Sequence, residues 1–367
     1  MTITAAVTES KGAPFAPAEV DVGEPRPDEL LVKVEAAGIC HTDLIVRDQW
    51  YPVPLPAVLG HEGAGVVERV GAAVSEFAPG DRVGMTFHSC GRCRTCLTGR
   101  PTYCLRFFEH NFGASRPDDG SSALSRNGEP VHAHFFGQSS FATYAVANER
   151  NTVKLPESIP THVAAPFGCG IQTGAGAVLN VLRPPAGSSI AVFGAGAVGL
   201  AAVAAARIAG CTTVIAVDVM PSRLELARDF GATDVVHGRE GDPVETIAER
   251  TGGGVDFAVE ATGVPQVVRQ AVDCTAPTGV IAVIGAPAFG TEVSLDVNSI
   301  LVPGKTVRGV VEGDSVPKVF LPVLMELWEQ GRFPVDLMMS FYDFDGIDEA
   351  AHDAEERGPV KAVLRMS

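Results

Sequence analysis

At 367 residues the chain is long for one hydrophobic core and sufficient for two domains of ordinary size. A hydrophobic fraction of 46% against 20% charged residues describes a globular protein and excludes extended disorder. The formal net charge of −16 excludes the Lys/Arg footprint that phosphate backbones and anionic membranes require, so neither nucleic acid nor a membrane surface is an expected partner.

The N-terminal stretch MTITAAVTESKGAP lacks the basic region and apolar core of an export signal, and no apolar run reaches the length of a membrane span. A cytoplasmic protein is therefore expected, in which the eight cysteines serve as metal ligands or buried thiols rather than disulfides. Residues 1 to about 155 read as short strands punctuated by Pro and Gly, among them LLVKVEAAG, GAGVVERVG, DRVGMTF and FATYAVAN. This predicts a β-rich, barrel-like first domain. Within it GICHTDLIV sets Cys40, His41, Thr42 and Asp43 side by side. Further on, CGRCRTCLTGRPTYC carries thiols at Cys90, Cys93, Cys96 and Cys104. Four thiolates on a short loop can enclose Zn²⁺ tetrahedrally with no open position, which describes a structural site. The spacing leaves an iron–sulfur cluster open as an alternative, although the long final gap and the lack of a Pro after Cys104 favour zinc. A nucleic-acid-binding zinc ribbon is disfavoured by the acidic balance. Cys211 and Cys274 read as small buried hydrophobes.

Near Pro160 the pattern changes. THVAAPFGCGIQTGAGAVLNVL has helical spacing, and SSIAVFG, TTVIAVDV, ATDVVHG, VDFAVEATG and VIAVIGA then alternate with segments long enough for crossover helices, such as PSRLELARDFG. Fully apolar strands of this kind predict an α/β, doubly wound parallel sheet. GAGAVG follows the first of them. Gly194 permits the tight turn, Gly196 lets the backbone approach a pyrophosphate, and Gly199 lets the helix pack on the strand. The next strand ends in Asp218, where a carboxylate accepts from an adenosine ribose and repels a ribose phosphate, so NAD is expected over NADP, a preference that nearby Arg223 softens. After about residue 305 the strand TVRGVVEG, two helical segments and the strand VKAVLRM fall outside the repeat. They can extend the parallel sheet or return to the first domain.

GHEGAGVVERVG, the four-cysteine loop, FGCGIQTGAGAV and GAGAVG occur in an order that resembles the zinc-containing medium-chain alcohol dehydrogenases over nearly the whole chain. GICHTDLIVRDQWYPVPLPAVLGHEGAG is most similar to their aryl-alcohol (benzyl alcohol) dehydrogenase branch. The resemblance implies a GroES-like catalytic domain over 1–169 completed by 306–367, and a Rossmann NAD-binding domain over 170–305. It implies two Zn²⁺ per chain: a catalytic ion on Cys40, His61 and Cys169 with a fourth position for water or substrate, and a structural ion on Cys90, Cys93, Cys96 and Cys104. It further places Glu62 close to the catalytic metal, Asp43 behind the ligand imidazole and Thr42 where a hydroxyl accepts the alcohol proton. His41 and Lys361 match positions that reach the coenzyme pyrophosphate, while Thr173, Val198 and Ile284 match the lining of the nicotinamide.

Ile45 is the departure. Many members carry there a histidine that passes the proton to solvent, and the aryl-alcohol members resemble this chain in lacking it. The implied activity is reversible, NAD-linked oxidation of a primary aryl or allylic alcohol to its aldehyde by a homodimer or homotetramer, with Trp50, Tyr51, Phe87 and Phe289 as candidate apolar walls. Two rivals are weighed. A thiol-dependent formaldehyde dehydrogenase wants basic residues near its pocket, and WYPVPLPAV offers none; a non-catalytic dinucleotide-binding protein is expected to have lost a metal ligand or Thr42.

Overall fold

The computed structural model describes residues 1–356 and 360–366. Its internal contacts divide the chain into two units: Met1–Cys169 with Val316–Glu329 and Met339–Ser367, and Gly170–Ser315 with Gln330–Met338.

Strands of the first unit come early in the chain: β1 (Thr2–Thr8), β2 (Ala16–Val22), β3 (Glu29–Gly38), β4 (Ala57–Val58), β5 (Gly63–Val70), β6 (Arg82–Met85), β7 (Leu124–Arg126), β8 (Glu129–Val131), β9 (Tyr144–Asn148) and β10 (Thr152–Lys154). The second unit holds β11 (Ser189–Phe193), β12 (Thr213–Asp218), β13 (Asp234–His237), β14 (Val255–Glu260), β15 (Thr275–Val283) and β16 (Thr306–Gly309); β17 (Met339–Asp343) and β18 (Lys361–Arg365) return to the first.

In the first unit one sheet runs β4-β1-β2-β7-β8 and the other β10-β6-β5-β3-β18-β17, with β9 also pairing to β3. Val7, Phe15, Leu59, Phe135 and Phe141 belong to one buried cluster, in which the Phe15 and Phe141 rings meet edge to face at 5.4 Å. The last strand matters most for the site. β18 pairs antiparallel with β3, setting Val363 opposite Gly38, so the start of β18 lies beside the chain that leads into Cys40.

The second unit is the α/β, parallel-sheet half, in the order β13-β12-β11-β14-β15-β16. Ile190–Phe193 of β11 and Val214–Val217 of β12 are buried without alternation, as expected for strands covered on both faces. β12 and β14 flank β11 on opposite sides. That reversal creates a crevice at the carboxyl ends of the strands, where ligands of such sheets bind.

The tail differs from expectation. Residues 306–315 were expected in the first domain, but β16 pairs in parallel with β15, Thr306 opposite Val280, and the chain stays with the second unit through Ser315 and again over 330–338. The β-branched stretch TVRG can extend the sheet, and only the helix Pro317–Glu329 begins the return. Among the described residues no helix is long and apolar enough to cross a membrane.

Candidate active site and metal centres

The helix His41–Arg47 starts at Cys40, whose backbone is still extended. Asp43, fully buried in its first turn, gathers three donors from two separate stretches of chain. Its Oδ2 accepts from the Cys40 N–H at 2.9 Å; its Oδ1 accepts from the Gly60 N–H at 3.1 Å and from His61 Nδ1 at 2.8 Å. A carboxylate that takes the Nδ1 proton leaves the lone pair on Nε2. His61 Nε2 is buried without a hydrogen-bond partner, between Phe136 with its centroid at 4.5 Å and Phe135 at 5.4 Å. A buried, unsatisfied nitrogen is costly unless something electrophilic occupies the space before it. The donor atoms of Cys40, His61, Glu62 and Cys169 all lie within 4.8 Å of one another. Two thiolates, an imidazole and a nearby carboxylate fit a single Zn²⁺. Hydrogen bonding with Cys169 outweighs burial, and together with the His61 imidazole it holds the Cys40 thiol well below its ordinary range.

Glu62 is itself buried and clasped by Lys361. The Lys361 ammonium donates to Glu62 Oε1 at 2.9 Å, to Glu62 Oε2 at 2.7 Å and to the Ile39 carbonyl at 3.1 Å. Burial disfavours its charge, but the Glu62 carboxylate outweighs that and raises the lysine above its usual range. This corrects the expectation that Lys361 reaches the coenzyme pyrophosphate. Its three N–H bonds are already spent on Glu62 and Ile39, and the side chain is 3% exposed. Pairing of β18 with β3 is what delivers it there.

Thr42 Oγ1 lies 3.8 Å from Cys40 Sγ in a half-buried position, so its hydroxyl borders the donor set. His41 is exposed, and Ile45 is buried in the same helix. Of the candidate apolar walls, Phe87 is buried 6.2 Å from the Phe107 ring, and Tyr51 meets Phe112 edge to face at 5.7 Å. Trp50 and Phe289 stand out at 51% and 62% exposed.

The second cluster gathers Cys90, Cys93, Cys96 and Cys104 around one point. Sulfur–sulfur separations are 3.4 Å for Cys93–Cys96 and 4.0 Å for both Cys90–Cys96 and Cys93–Cys104. Tetrahedral bonds of roughly 2.3 Å place thiolates about 3.8 Å apart, so one zinc ion fits. A multi-iron cluster distributes its thiolates over separate irons and would hold them further apart, so the close approach of the four sulfurs favours a single zinc ion. Backbone N–H groups of Cys93 and Cys90 donate to the sulfurs of Cys90 and Cys104, each at 3.3 Å. Hydrogen bonds from Thr95 and backbone amides pull the Cys93 thiol down to about 5, whereas burial pushes the Cys96 and Cys104 thiols up, so a bound cation would be what lets all four act as thiolates together.

In the second unit Gly194 ends β11 at φ 92, and Gly196 caps the helix Ala197–Ala209. A Cβ on Gly199 would come within 1.7 Å of the Gly194 carbonyl, so tight packing demands glycine there. Gly196 is different. Its φ of −76 suits any residue and a Cβ would meet nothing within 4 Å, so the protein itself makes no demand for glycine. The open space before the helix N-terminus fits a pyrophosphate. Asp218 at the end of β12 accepts from the Ala195 N–H at 2.6 Å and the Met220 N–H at 2.9 Å, which ties it to the glycine loop while each oxygen retains a lone pair. Arg223 lies on the adjoining helix Pro221–Asp229, Thr173 on the helix Gly170–Gly176, Val198 in the first turn after Gly196, and Ile284 just past β15, its N–H bonded to the Glu260 carbonyl at 2.9 Å.

Sequence reasoning missed Phe135, Phe136 and Gln138. Gln138 Nε2 donates to the His61 carbonyl at 2.8 Å and its Oε1 accepts from the Gly63 N–H at 3.0 Å, bracketing Glu62 on both sides. His134, Phe136 and Ser139 all have positive φ at non-glycine positions, a local path that HFFGQSS does not announce. The pair of phenylalanines before Gly137 was the available signal.

Comparison with known proteins agrees with this geometry. Residues 26–157 match the alcohol dehydrogenase GroES-like domain and residues 197–329 the zinc-binding dehydrogenase domain. The chain is 43% identical over 361 residues to a geraniol dehydrogenase of Castellaniella defragrans, covering 98% of this chain and 96% of that protein. A benzyl alcohol dehydrogenase structure from Acinetobacter calcoaceticus superposes with a TM-score of 0.97 at 50% identity, covering all of both chains. An alcohol dehydrogenase zinc-binding domain protein from Burkholderia ambifaria gives 0.98 at 54% identity, covering 100% of this chain and 99% of the other. With both domains matched in order and the paired thiol–imidazole and four-thiol clusters in place, this chain belongs to the zinc-binding medium-chain alcohol dehydrogenases.

Proposed function

We propose that the protein interconverts a primary aryl or allylic alcohol and its aldehyde by hydride transfer to and from NAD. The observation that carries the reading is the buried, unpartnered His61 Nε2 facing Cys40 and Cys169, with Asp43 fixing its tautomer. In this reading Cys40, His61 and Cys169 hold a catalytic zinc, and Cys90, Cys93, Cys96 and Cys104 a structural one. Zinc at the first site supplies a Lewis acid that lowers the pKa of the alcohol hydroxyl. Thr42 would accept the proton of that hydroxyl at Oγ1, and because Ile45 offers no base in the same helix, a ribose hydroxyl of bound coenzyme, water or exposed His41 would have to receive it next. Glu62, ion-paired to Lys361, would lie beside the metal, where it can assist exchange of ligands.

Gly194, Gly196 and Gly199 hold the pyrophosphate against the helix N-terminus, Asp218 selects the NAD ribose with Arg223 alongside, and Thr173, Val198 and Ile284 bound the nicotinamide. Aryl or allylic preference is supported by the geraniol and benzyl alcohol dehydrogenase relatives. The lack of basic residues in WYPVPLPAV speaks against the large anionic adduct of a thiol-dependent formaldehyde dehydrogenase, and a full set of donors speaks against a dehydrogenase relic. The reading includes a homodimer or homotetramer acting in the cytoplasm, where the ligand thiols stay reduced.

Metal analysis tests the two-site assignment. Purified protein is expected to carry two zinc ions per chain, His61→Ala one, with turnover lost. One zinc in the unaltered protein, or activity surviving His61→Ala, overturns it.

A further inference from the structure

Beyond the end of β16 and two intervening residues, the backbone enters three left-handed residues in succession, Glu312 at φ 48, Gly313 at φ 63 and Asp314 at φ 50. Glycine adopts this region freely and aspartate is tolerated there, whereas it strains a glutamate. The surroundings hold the turn in place. The Gly313 carbonyl accepts from Asn180 Nδ2 at 3.0 Å, and a Cβ on Gly313 would come within 2.2 Å of the Gln172 carbonyl. Glu312 is 7% exposed, and its Oε2 accepts from Gln172 Nε2 at 3.2 Å. Strain kept at a buried acid points to function rather than packing.

Its location narrows the function. The Val310 N–H donates to the Val283 carbonyl at 3.0 Å, which sets the segment beside Ile284. Gln172 precedes Thr173, and a Cβ on Gly174 would meet the Val198 carbonyl at 1.9 Å, so this helix lies against Val198. The buried carboxylate therefore belongs to the same neighbourhood of the second unit as Thr173, Val198 and Ile284.

Resting on the NAD reading above, we propose that Glu312 is a coenzyme-selecting residue, whose buried carboxylate favours the cationic oxidised nicotinamide over the neutral reduced ring. A fixed negative charge in a low-dielectric wall lowers the free energy of a cation that it faces and leaves a neutral ring almost unaffected. The strained turn is the means of keeping the acid there.

The test is the dissociation constants of NAD⁺ and NADH, measured by calorimetry on zinc-loaded protein for the unaltered chain, Glu312→Gln and Glu312→Gly. Glu312→Gln preserves shape and removes charge, and is expected to weaken NAD⁺ roughly three- to tenfold while NADH changes by less than about twofold. Glu312→Gly is expected to show the same selective loss with an unchanged or higher Tm, because glycine relieves the positive φ. Equal weakening of both coenzymes, or an unchanged ratio in both variants, overturns the proposal and leaves the NAD reading standing. Failure of the unaltered protein to bind either coenzyme overturns both.

Discussion

Asp43 shows how one buried side chain can organise a cluster of metal-ligating donors, the proposed catalytic site, to which it lends no donor itself. It sets the start of a helix through Cys40, fixes the backbone at Gly60 and orients the His61 ring, so two proposed ligands separated by twenty residues of chain are positioned by one carboxylate. Removing such a partner of a ligand imidazole typically costs 10- to 100-fold in metal affinity. Asp43→Ala is therefore expected to lose zinc from the catalytic site to a competing chelator about 10- to 100-fold more readily, with the four-thiol site unchanged; an unaltered release curve in a folded variant would contradict this role. Cys40, His61 and Asp43 were legible because their spacing coincides with a family pattern. Lys361 was misread because its position in the final strand gives no hint of register, and the register with β3 is what sends its ammonium to Glu62. Phe136 and Gln138 were illegible for a related reason: their places depend on left-handed backbone at His134, Phe136 and Ser139, and only Gly137 among these neighbouring positions is of a residue type that advertises it.

At the scale of elements, the strands of the parallel sheet were the most legible feature, since unbroken apolar runs separated by helix-length segments admit few other folds. The glycine loop followed from its position between β11 and a helix. Less legible were the short strands β7, β8 and β17, too brief to show a period, and the allegiance of the tail. β16 remained in the parallel sheet as its terminal strand, with all four of its residues exposed. Val297, Leu301, Val302 and Val311 are also exposed nearby in sequence. An open strand edge flanked by apolar side chains invites pairing with another chain, which supports the proposed self-association. Light scattering is expected to give a dimer or larger species for the unaltered protein and a shift towards monomer for a Val302→Asp, Val307→Lys double variant. A monomeric unaltered protein at micromolar concentration would contradict the oligomer.

At the scale of the molecule, chemistry is divided between two units built on different principles. The first uses antiparallel sheets to gather thiols, an imidazole and an ion-paired carboxylate from distant positions, and the second uses parallel strands to present a glycine turn and a helix N-terminus at one edge. A net charge of −16 is compatible with the proposed coenzyme binding, in which backbone N–H groups rather than a basic patch would meet the phosphates. Substrate identity is the part that composition and topology carry least, since the residues that shape an alcohol pocket are ordinary apolar ones. It is also the centre of the functional proposal. The decisive measurement is an initial-rate survey of zinc-replete protein with NAD⁺, and NADP⁺ in parallel, against benzyl, cinnamyl, geranyl and short aliphatic alcohols. The account predicts NAD⁺-linked kcat/KM for the aryl and allylic alcohols at least about tenfold above that for the aliphatic ones, a difference of roughly 1.4 kcal/mol in transition-state binding. Higher kcat/KM for the aliphatic alcohols, turnover with NADP⁺ alone, or no turnover at all would contradict it.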